Sequence, residues 1–552
     1  MARHFREPEQ LPQQQSQAVA QPEESREQQV GRNTALMSVL VVVSRLTGFV
    51  RTWAQAFALG VTVIASCYSV ANNLPNQLYE IVVGGMLVTA FLPVYLSERQ
   101  KRGSSGASEY TSNLVSIVTL LMGALTVLAM VFAWQVVFTQ SFTATDEFDS
   151  ALAVYFFRFF AIEVLLYALS SIFSGVLNAE RDYFWSSAAP IFNNFVTTAS
   201  FLLYAWLAPT NPQLALVILA LGNPLGVLVQ VVVQMPSLRK YGIRLRWRID
   251  LSDPALKETL RIGVPSLVVM LCSFETVSVM TSAALSVTAT GASISYYARL
   301  WFTLPYAILA VPITTAMFTE LSHDVAADDM DAYRAGVSGG TSKIVFSMVP
   351  FMMYLVVFSV PLVTLLAAGR FGADEIRVTA EYLAALAISL PSYAVCTYLQ
   401  KVCSSLRRMG IYTWASVAAA AVQTVICLVL TPVFGLNVVP LSSTAYMLVV
   451  DAIAFVSLRR HLGNLGLRSV LVALVRATLL GLAGAAVGYG CGFVLTGMLG
   501  ITGSTTMQAL IQIVAGGIPA VLVTFGVALA MHLPEVSAVE QLAGRLLGKL
   551  HR

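Results

Sequence analysis

The sequence predicts an all-α polytopic membrane protein with about fourteen transmembrane helices. Of its 552 residues, 57% are hydrophobic and 11% are charged, whereas soluble proteins have about 25% charged residues. The apolar runs are about 20–28 residues long, which is typical of membrane-spanning helices and not of the alternating strands of a β-barrel. The runs fall near residues 34–59, 64–97, 110–138, 150–178, 184–208, 213–235, 257–287, 293–322, 340–368, 377–403, 411–432, 438–458, 468–497 and 507–532.

A polar, basic loop at 236–256 divides the helices into two pseudo-repeated six-helix lobes, residues 32–235 and 257–458. A tyrosine precedes a proline by about two helical turns in the second and the eighth spans (Tyr68 and Pro75, Tyr297 and Pro305). Repeated lobes with broken helices at matching places indicate a transporter whose site lies between the lobes. Two extra helices at 459–533 have no counterpart in the front lobe.

The two ends of the chain differ from the apolar body. Residues 1–31 are rich in Gln, Glu and Pro, which predicts a disordered cytoplasmic tail. Residues 534–552 form an amphipathic pattern that could lie on the inner membrane face, or be a weakly packed tail. Lysine and arginine concentrate in one set of alternate loops, which marks the cytoplasmic side. The prediction is therefore a multi-pass membrane protein with both termini in the cytoplasm.

Charged residues inside the apolar runs predict a polar cavity. Arg45 and Arg51 lie in the first span, and Arg299 lies in the eighth. A charge at the centre of a spanning helix costs about 2.5–3.5 kcal/mol, so such residues should face water, a partner or a ligand. Guanidinium groups bind phosphates through paired hydrogen bonds. We therefore expect Arg45, Arg51, Asn76 and Arg299 to bind an anionic substrate in a central cavity, although the arginines could also pair internally or reach a surface.

Three residues are expected to interrupt helices near this cavity: Gly48, Pro75 and Pro305. Irregular backbone at membrane depth is tolerated where it is covered by protein or lines a cavity.

Carboxylates in the spans suggest further roles. Glu80 and Glu275 are candidates for a gate or for charge partners of the arginines, and a static buried pair explains them equally well. Asp451 is a candidate ion ligand, with solvation near the membrane surface as the alternative.

Several classes of protein are excluded or disfavoured. The sequence contains no phosphate-binding glycine loop and no histidine pair at metal-ligand spacing, and its six cysteines form no C-x-x-C pair. We expect no cofactor, no metal and no binding of nucleic acid, and the protein should not be an enzyme; a membrane glycosyltransferase lacks the carboxylate cluster it would need. Transport would then be driven by a monovalent cation gradient, the membrane potential or mass action.

Three segments resemble the MviN/MurJ family: S-R-L-T-G-F-V-R at Ser44–Arg51, followed by L-P-N-Q-L and T-A-F-L-P-V-Y; the stretch Gly175–Asn194; and Ser295–Pro305. The resemblance implies a flippase for lipid II, the polyprenyl-diphosphate precursor of peptidoglycan, within the multidrug/oligosaccharidyl-lipid/polysaccharide exporter superfamily. It also implies alternating access between two lobes, a cationic cavity for the headgroup, and a groove beside the two extra helices for the tail. Cell-wall synthesis proteins are possible partners.

The chain departs from the family pattern at four places. Ser66 stands where the family commonly has an acidic residue, Tyr79 where it has an arginine, Arg299-Leu300 where it has Asp-Arg, and Thr413-Trp414 where it has Thr-Pro. Two alternatives to a lipid II flippase therefore stay open. One is a degenerate family member that acts as a scaffold for cell-wall synthesis; the other is an ion-coupled exporter of another lipid-linked or amphipathic substrate.

Overall fold

A computed structural model describes residues 23–81, 91–254, 267–368, 370–498 and 505–536. All regular structure in these ranges is helical. The front part contains α1 (Glu23–Leu59), α2 (Val63–Tyr79), α3 (Leu92–Val131), α4 (Ala133–Phe138), α5 (Ser150–Phe160), α6 (Glu163–Ala179), α7 (Tyr183–Leu207), α8 (Pro212–Val232) and α9 (Met235–Lys240). The rear part contains α10 (Leu267–Val287), α11 (Gly291–Pro305), α12 (Val311–Ala326), α13 (Met330–Val357), α14 (Ser359–Ala367), α15 (Ala373–Ala387), α16 (Leu390–Ser405), α17 (Met409–Phe434), α18 (Val438–Leu462), α19 (Leu467–Met498) and α20 (Thr505–Ala530).

The all-α, multi-span fold class is confirmed. In the described ranges, 10 helices are long and apolar enough to cross a membrane, or 11 if the pair α15 and α16, bent by 45°, forms one span. Each of the predicted apolar segments overlaps a described helix. Those that fall on α1, α2 and α7 are not among the 10. The helix α2 has 17 residues, and α7 carries Asn193 and Asn194 on a buried face.

Side-chain caps fix where two front helices begin. The hydroxyl of Thr62 accepts the backbone N–H of Ala65 at 3.2 Å, at the start of α2. The carboxylate of Asp149 accepts the backbone N–H of Leu152 at 2.9 Å, at the start of α5. Each cap satisfies a backbone donor that has no partner within its own helix.

Two of the three predicted helix breaks are not breaks. The backbone stays helical through Gly48 in α1 and through Pro75 in α2. A proline inside a helix removes one N–H donor, and here the surrounding turns remain intact. The backbone becomes irregular only after α2 has ended, with a π-type turn at 80–81. At Pro305 the helix α11 ends and a π-helical turn follows at Tyr306–Ala310, with right-handed helical backbone on both sides of that turn.

The helix α1 begins at Glu23, inside the segment 1–31 that was predicted to be a disordered tail. Glutamate, glutamine and arginine dominate residues 23–32 and are good helix formers, so the helix extends beyond its apolar part. Residues 1–22 and 537–552, which hold the rest of that tail and most of the predicted amphipathic segment, lie outside the described residues.

Apolar packing follows the division into front and rear parts. One cluster of buried residues joins α2, α5 and α8 and continues to the start of α11. In this cluster the ring of Tyr68 meets Phe156, Phe160 and Phe201 edge-on, with centroids 5.7, 5.1 and 5.3 Å apart. A second front cluster joins α3, α6 and α8. The largest cluster lies mainly in the rear part, between α10 and α18.

The basic loop after α9 is held along α3 by its backbone. Three serines spaced by four residues on α3 accept backbone N–H groups of the loop: Ser108 from Arg244 at 3.0 Å, Ser112 from Arg246 at 3.1 Å and Ser116 from Arg248 at 3.0 Å. Residues four apart lie on one helix face. The alternate arginine side chains of the loop are therefore presented to solvent.

Hydrogen bonds between the two parts gather at one end of the molecule. In the described ranges they join three places of the front part to α10 and α11: Tyr297 to the carbonyl of Gly60 at 2.9 Å, Ser293 to Ser66 at 3.1 Å, Thr143 to Ser282 at 2.8 Å, and the N–H of Thr145 to the carbonyl of Leu285 at 3.0 Å. The front-part partners lie in the α1–α2 turn, at the start of α2, and in the acidic loop after α4. The parts are thus bonded at the end opposite the basic loop.

The last two helices pack through small residues. A Cβ added at Gly488 in α19 would collide with the carbonyl of Gly516 in α20, and one added at Gly516 would lie 2.7 Å from the carbonyl of Gly488. Small residues let membrane helices approach closely. The contact between α19 and α20 therefore depends on the absence of side chains at these positions.

We expect Gly488→Ala to destabilise the protein by about 1–3 kcal/mol, because the added methyl overpacks the contact. Thermal unfolding of the purified protein in detergent measures this. Gly490→Ala on the same helix is the matched control, since nothing lies within 4 Å of a Cβ there. Equal unfolding temperatures for both variants would contradict the close packing.

Candidate functional site

A cavity of about 670 Å³ lies between the front and rear parts. The front wall is formed by α1 and α2, together with Gln140 after α4. The rear wall is formed by α10, α11 and α15–α18. The cavity is therefore bounded by both lobes, which is the place that repeated lobes predict for a transport site.

One face of α2 supplies most of the polar front wall. Asn72, Asn76 and Glu80 are spaced by four residues, and Asn73 and Gln77 repeat that spacing beside them. Spacing by four places side chains on one helix face. Asn76 and Glu80 are predicted from the sequence, whereas Asn72, Asn73 and Gln77 are not. The recurrence of amide side chains every fourth residue of an apolar run is the pattern that could have indicated them.

Three charged side chains line the cavity: Arg51, Glu80 and Arg299. In the described part of the chain, none of them belongs to an ion pair. Two cations and one anion give the wall a formal charge of +1, so the cavity favours an anion.

Two tyrosines of the rear wall lie near these charges. Tyr296 of α11 lines the cavity with Arg51, within electrostatic range of it. Tyr393 of α16 also lines the cavity, within electrostatic range of Arg299 and Glu80. Because both neighbours are neutral phenols, the positive charge of the arginines stays available to a ligand.

Arg45 lies elsewhere. Its side chain is exposed on α1, and it is not among the residues that line the cavity. Six residues separate it from Arg51, which is about 120° around the helix, so the two arginines face different surroundings. Substrate binding by Arg45 stays a prediction from the sequence.

Glu275 and Asp451 also lie outside the cavity lining. One carboxylate oxygen of Glu275 accepts a hydrogen bond from Thr424, and the other has no partner among the described residues. Asp451 is half-buried, and its buried Oδ1 is without a hydrogen bond in the same ranges. The described residues contain no group of three or more His, Cys, Asp or Glu side chains that could hold a metal. The roles of gate and ion ligand remain predictions.

At three of the positions where the chain departs from the family pattern, the residue is uncharged. Ser66 is buried and bonded to Ser293 across the lobes. Tyr79 shares a hydrogen bond with Ser171. Trp414 is 74% exposed on α17. At these positions the chain therefore uses uncharged groups.

A second cavity, of about 480 Å³, is an apolar groove between α13, α14 and α20. Phe351, Phe358, Ile518 and Leu522 are among its lining residues. The one hydroxyl in its wall, that of Tyr354, is occupied by the carbonyl of Ala520 at 3.0 Å and by Thr524 at 2.6 Å. The groove therefore offers hydrocarbon contacts.

The two-part helical bundle with a cavity between its parts is the fold of solved membrane transporters. A solved structure titled "Inward-facing conformation of a multidrug resistance MATE family transporter of the MOP superfamily" superposes with a TM-score of 0.57 and 14% identity, over 78% of this chain and 94% of that one. "Lipid II flippase MurJ, inward closed conformation" superposes with a TM-score of 0.70 and 16% identity, over 90% of this chain and 99% of that one.

The particular family follows from the sequence. The family model "Lipid II flippase MurJ" matches residues 55–508, and the chain belongs to that family of transporters. The "Probable lipid II flippase MurJ" of Rhizobium meliloti (strain 1021) is 25% identical over 356 residues, which are 64% of this chain and 66% of that protein. The "Lipid II flippase MurJ" of Burkholderia cenocepacia is 25% identical over 364 residues, 64% of this chain and 70% of that protein.

Proposed function

We propose that this protein flips lipid II, or a closely related polyprenyl-diphosphate lipid, across the bacterial inner membrane. The observation that carries the proposal is an inter-lobe cavity with two arginines that have no ion-pair partner among the described residues. Guanidinium groups bind phosphate oxygens through paired, charge-assisted hydrogen bonds, which suits a diphosphate. Membership of the flippase family supports the same substrate.

In this proposal the headgroup binds in the cavity. Arg51 and Arg299 contact the diphosphate from opposite lobes, and Asn76 with its neighbouring amides bonds the sugars and peptide. Glu80 repels a misplaced phosphate and so helps to fix where the diphosphate lies. The polyprenyl tail stays in the apolar groove beside α20 and in the lipid, where it keeps its hydrocarbon contacts.

Transport proceeds by alternating access. The inter-lobe hydrogen bonds cluster at the end of the acidic loop, so opening there requires those bonds to exchange with water. The basic loops lie in the cytoplasm, both termini are cytoplasmic, and the cavity loads from that side. An ion gradient or the membrane potential supplies the driving force, and cell-wall synthesis proteins receive the product.

We expect Arg51→Ala and Arg299→Ala each to lower lipid II transport in proteoliposomes about ten- to hundred-fold. A hydrogen bond to a charged group contributes about 1.5–3 kcal/mol, which is that range in binding. Arg377→Ala is the matched control, because Arg377 is an exposed arginine of α15 paired with Asp374 and Glu381 away from the cavity.

Full transport by both cavity variants would overturn the proposed binding site. Rescue of a flippase-depleted strain by the wild-type chain separates a flippase from a scaffold, since a scaffold restores no translocation. Transport of small amphipathic compounds in place of lipid II, in the same vesicles, would favour the exporter alternative.

Arg45→Ala tests the assignment that came from the sequence. Because Arg45 is exposed outside the cavity, we expect it to reduce lipid II transport less than Arg51→Ala does. The same proteoliposome assay measures the ratio of the two effects. If Arg45→Ala lost as much lipid II transport as Arg51→Ala, or more, the headgroup would have to bind closer to Arg45 on α1.

The groove gives a separate prediction for the tail. Gly517 lines the groove and has nothing within 4 Å of an added Cβ, so Gly517→Phe should fold and occupy the groove. We expect it to slow transport of a long-chain substrate more than that of a short-chain analogue. Gly526→Phe, on the same helix and equally open but not in the groove, is the control. Equal effects of both variants would argue against a tail site.

A further inference from the structure

The basic loop after α9 contains an alternating pattern that the transport proposal does not use. Over residues 244–249, called here the alternating segment, every second residue is an arginine and the residues between are apolar. The six residues are Arg244, Leu245, Arg246, Trp247, Arg248 and Ile249. All six are exposed, and Trp247 is 66% exposed. A loop that only connected the two lobes would have no need of exposed apolar side chains at regular spacing.

The alternating segment is extended, because its backbone follows the row of serines on α3. The serines that bond Arg244, Arg246 and Arg248 are four residues apart on the helix. Four residues of a helix rise roughly 6.0 Å, and two residues of an extended chain rise roughly 6.6 Å. The two spacings match, so each serine meets every second residue of the segment. In an extended chain successive side chains point to opposite faces, which puts the arginines on one face and the apolar residues on the other.

Side chains of α3 hold this backbone at both ends. The hydroxyl of Ser108 donates to the carbonyl of Arg244 at 2.9 Å and accepts its N–H at 3.0 Å. The amide of Asn113 donates to the carbonyl of Asp250 at 2.9 Å and accepts its N–H at 2.8 Å. Because these bonds fix the backbone, both faces of the segment keep their side chains outward for a partner.

The depth of the segment follows from the helix that carries it. Arg248 bonds Ser116, and about 18 residues of α3 and α4 separate Ser116 from the exposed Trp134. That length of helix is roughly 27 Å, which is close to the thickness of the hydrocarbon core of a bilayer. Tryptophan is enriched at both membrane–water interfaces. Trp134 and Trp247 therefore lie at levels that match the two interfaces.

The open edge of the segment also indicates the headgroup region. The backbone N–H and carbonyl groups of Leu245, Trp247 and Ile249 have no hydrogen bond to any described residue. Backbone groups without partners are not tolerated against lipid inside the hydrocarbon core. At the level of the headgroups, water and phosphate oxygens can bond them.

The positive charge of this surface is only partly balanced. Arg248 pairs with Glu109 at 3.1 Å and with Asp250 at 3.6 Å. Within the described ranges, Arg244 and Arg246 belong to no ion pair. Basic clusters beside a spanning helix bind anionic lipid headgroups. An acidic protein would satisfy the same charges, but the interfacial depth and the exposed Trp247 favour lipid.

We infer that residues 244–249 are an interfacial anchor for anionic phospholipids of the surrounding leaflet. Arg244 and Arg246 bind the phosphate groups, and Trp247 inserts beside them at the level of the headgroups. Because the segment is bonded to α3, the anchor sets the depth of the front lobe in the membrane. The lipids of this site are those of the bilayer, so the inference does not depend on which substrate is transported.

Hydrogen–deuterium exchange of the full chain tests the charge, in nanodiscs of phosphatidylcholine with and without phosphatidylglycerol. We expect the amides of Leu245, Trp247 and Ile249 to exchange roughly five- to thirty-fold more slowly with the anionic lipid, since each arginine at a membrane surface strengthens binding about fivefold. The double variant Arg244→Gln/Arg246→Gln should abolish this difference and keep the backbone bonds to α3. Arg459→Gln/Arg460→Gln is the matched control, because it removes two exposed charges from the end of α18.

Fluorescence quenching tests the insertion of Trp247. Its signal is the difference between the wild type and Trp247→Phe in nanodiscs that contain brominated phospholipids. We expect bromines near the headgroup end of the chains to quench this signal more than bromines near the chain ends. Equal amide exchange in the two kinds of nanodisc, or an equal loss of protection in the control variant, would overturn the choice of anionic headgroups. A Trp247 signal that no brominated lipid quenches would overturn the anchor itself.

Discussion

The desolvation of Arg51 is the constraint on which the rest of the site depends. A guanidinium group inside an apolar bundle is tolerated only if water, a counter-charge or polar groups surround it. Here Arg51 borders a polar cavity whose wall also contains Asn72, Asn76 and Tyr296. No described carboxylate holds Arg51 in a direct ion pair. The positive charge of Arg51 is therefore tolerated inside the bundle and stays available to bind an anion.

The hydrogen bonds between the lobes suit a moving protein, because those among the described residues join neutral groups. Ser66 bonds Ser293, and Tyr297 bonds the carbonyl of Gly60. A neutral hydrogen bond contributes about 0.5–1.5 kcal/mol net, because water replaces it when it opens. An ion pair at the position of Ser66 would have to separate two buried charges whenever the lobes moved apart. This chain has a neutral serine at that position.

The two kinds of surface that a lipid-linked substrate needs are separated in the fold. The polar cavity lies between the lobes, whereas the apolar groove is bordered by α20, one of the two extra helices. Close packing through Gly488 and Gly516 holds α19 against α20 and so fixes one wall of the groove. The headgroup can thus be desolvated by polar partners while the tail keeps an apolar environment.

The sequence alone predicts much of this arrangement for physical reasons that act locally. Long apolar runs with few charges specify membrane helices, and a charge placed within such a run needs a polar surrounding, which is how Arg51, Asn76, Glu80 and Arg299 were anticipated. The division into two repeated lobes is a prediction from the basic loop and from the tyrosine–proline spacing around Pro75 and Pro305.

Tertiary structure decided what depends on the rotation and packing of whole helices. Arg45 and Arg51 look equivalent in one apolar run, but the orientation of α1 exposes the first and turns the second into the cavity. Glu163 and Asn223 are separated by 60 residues, and α6 and α8 must pack together before an amide can meet the carboxylate. Helical periodicity gives the angle between residues on one helix, whereas the direction in which a helix faces is set by its neighbours.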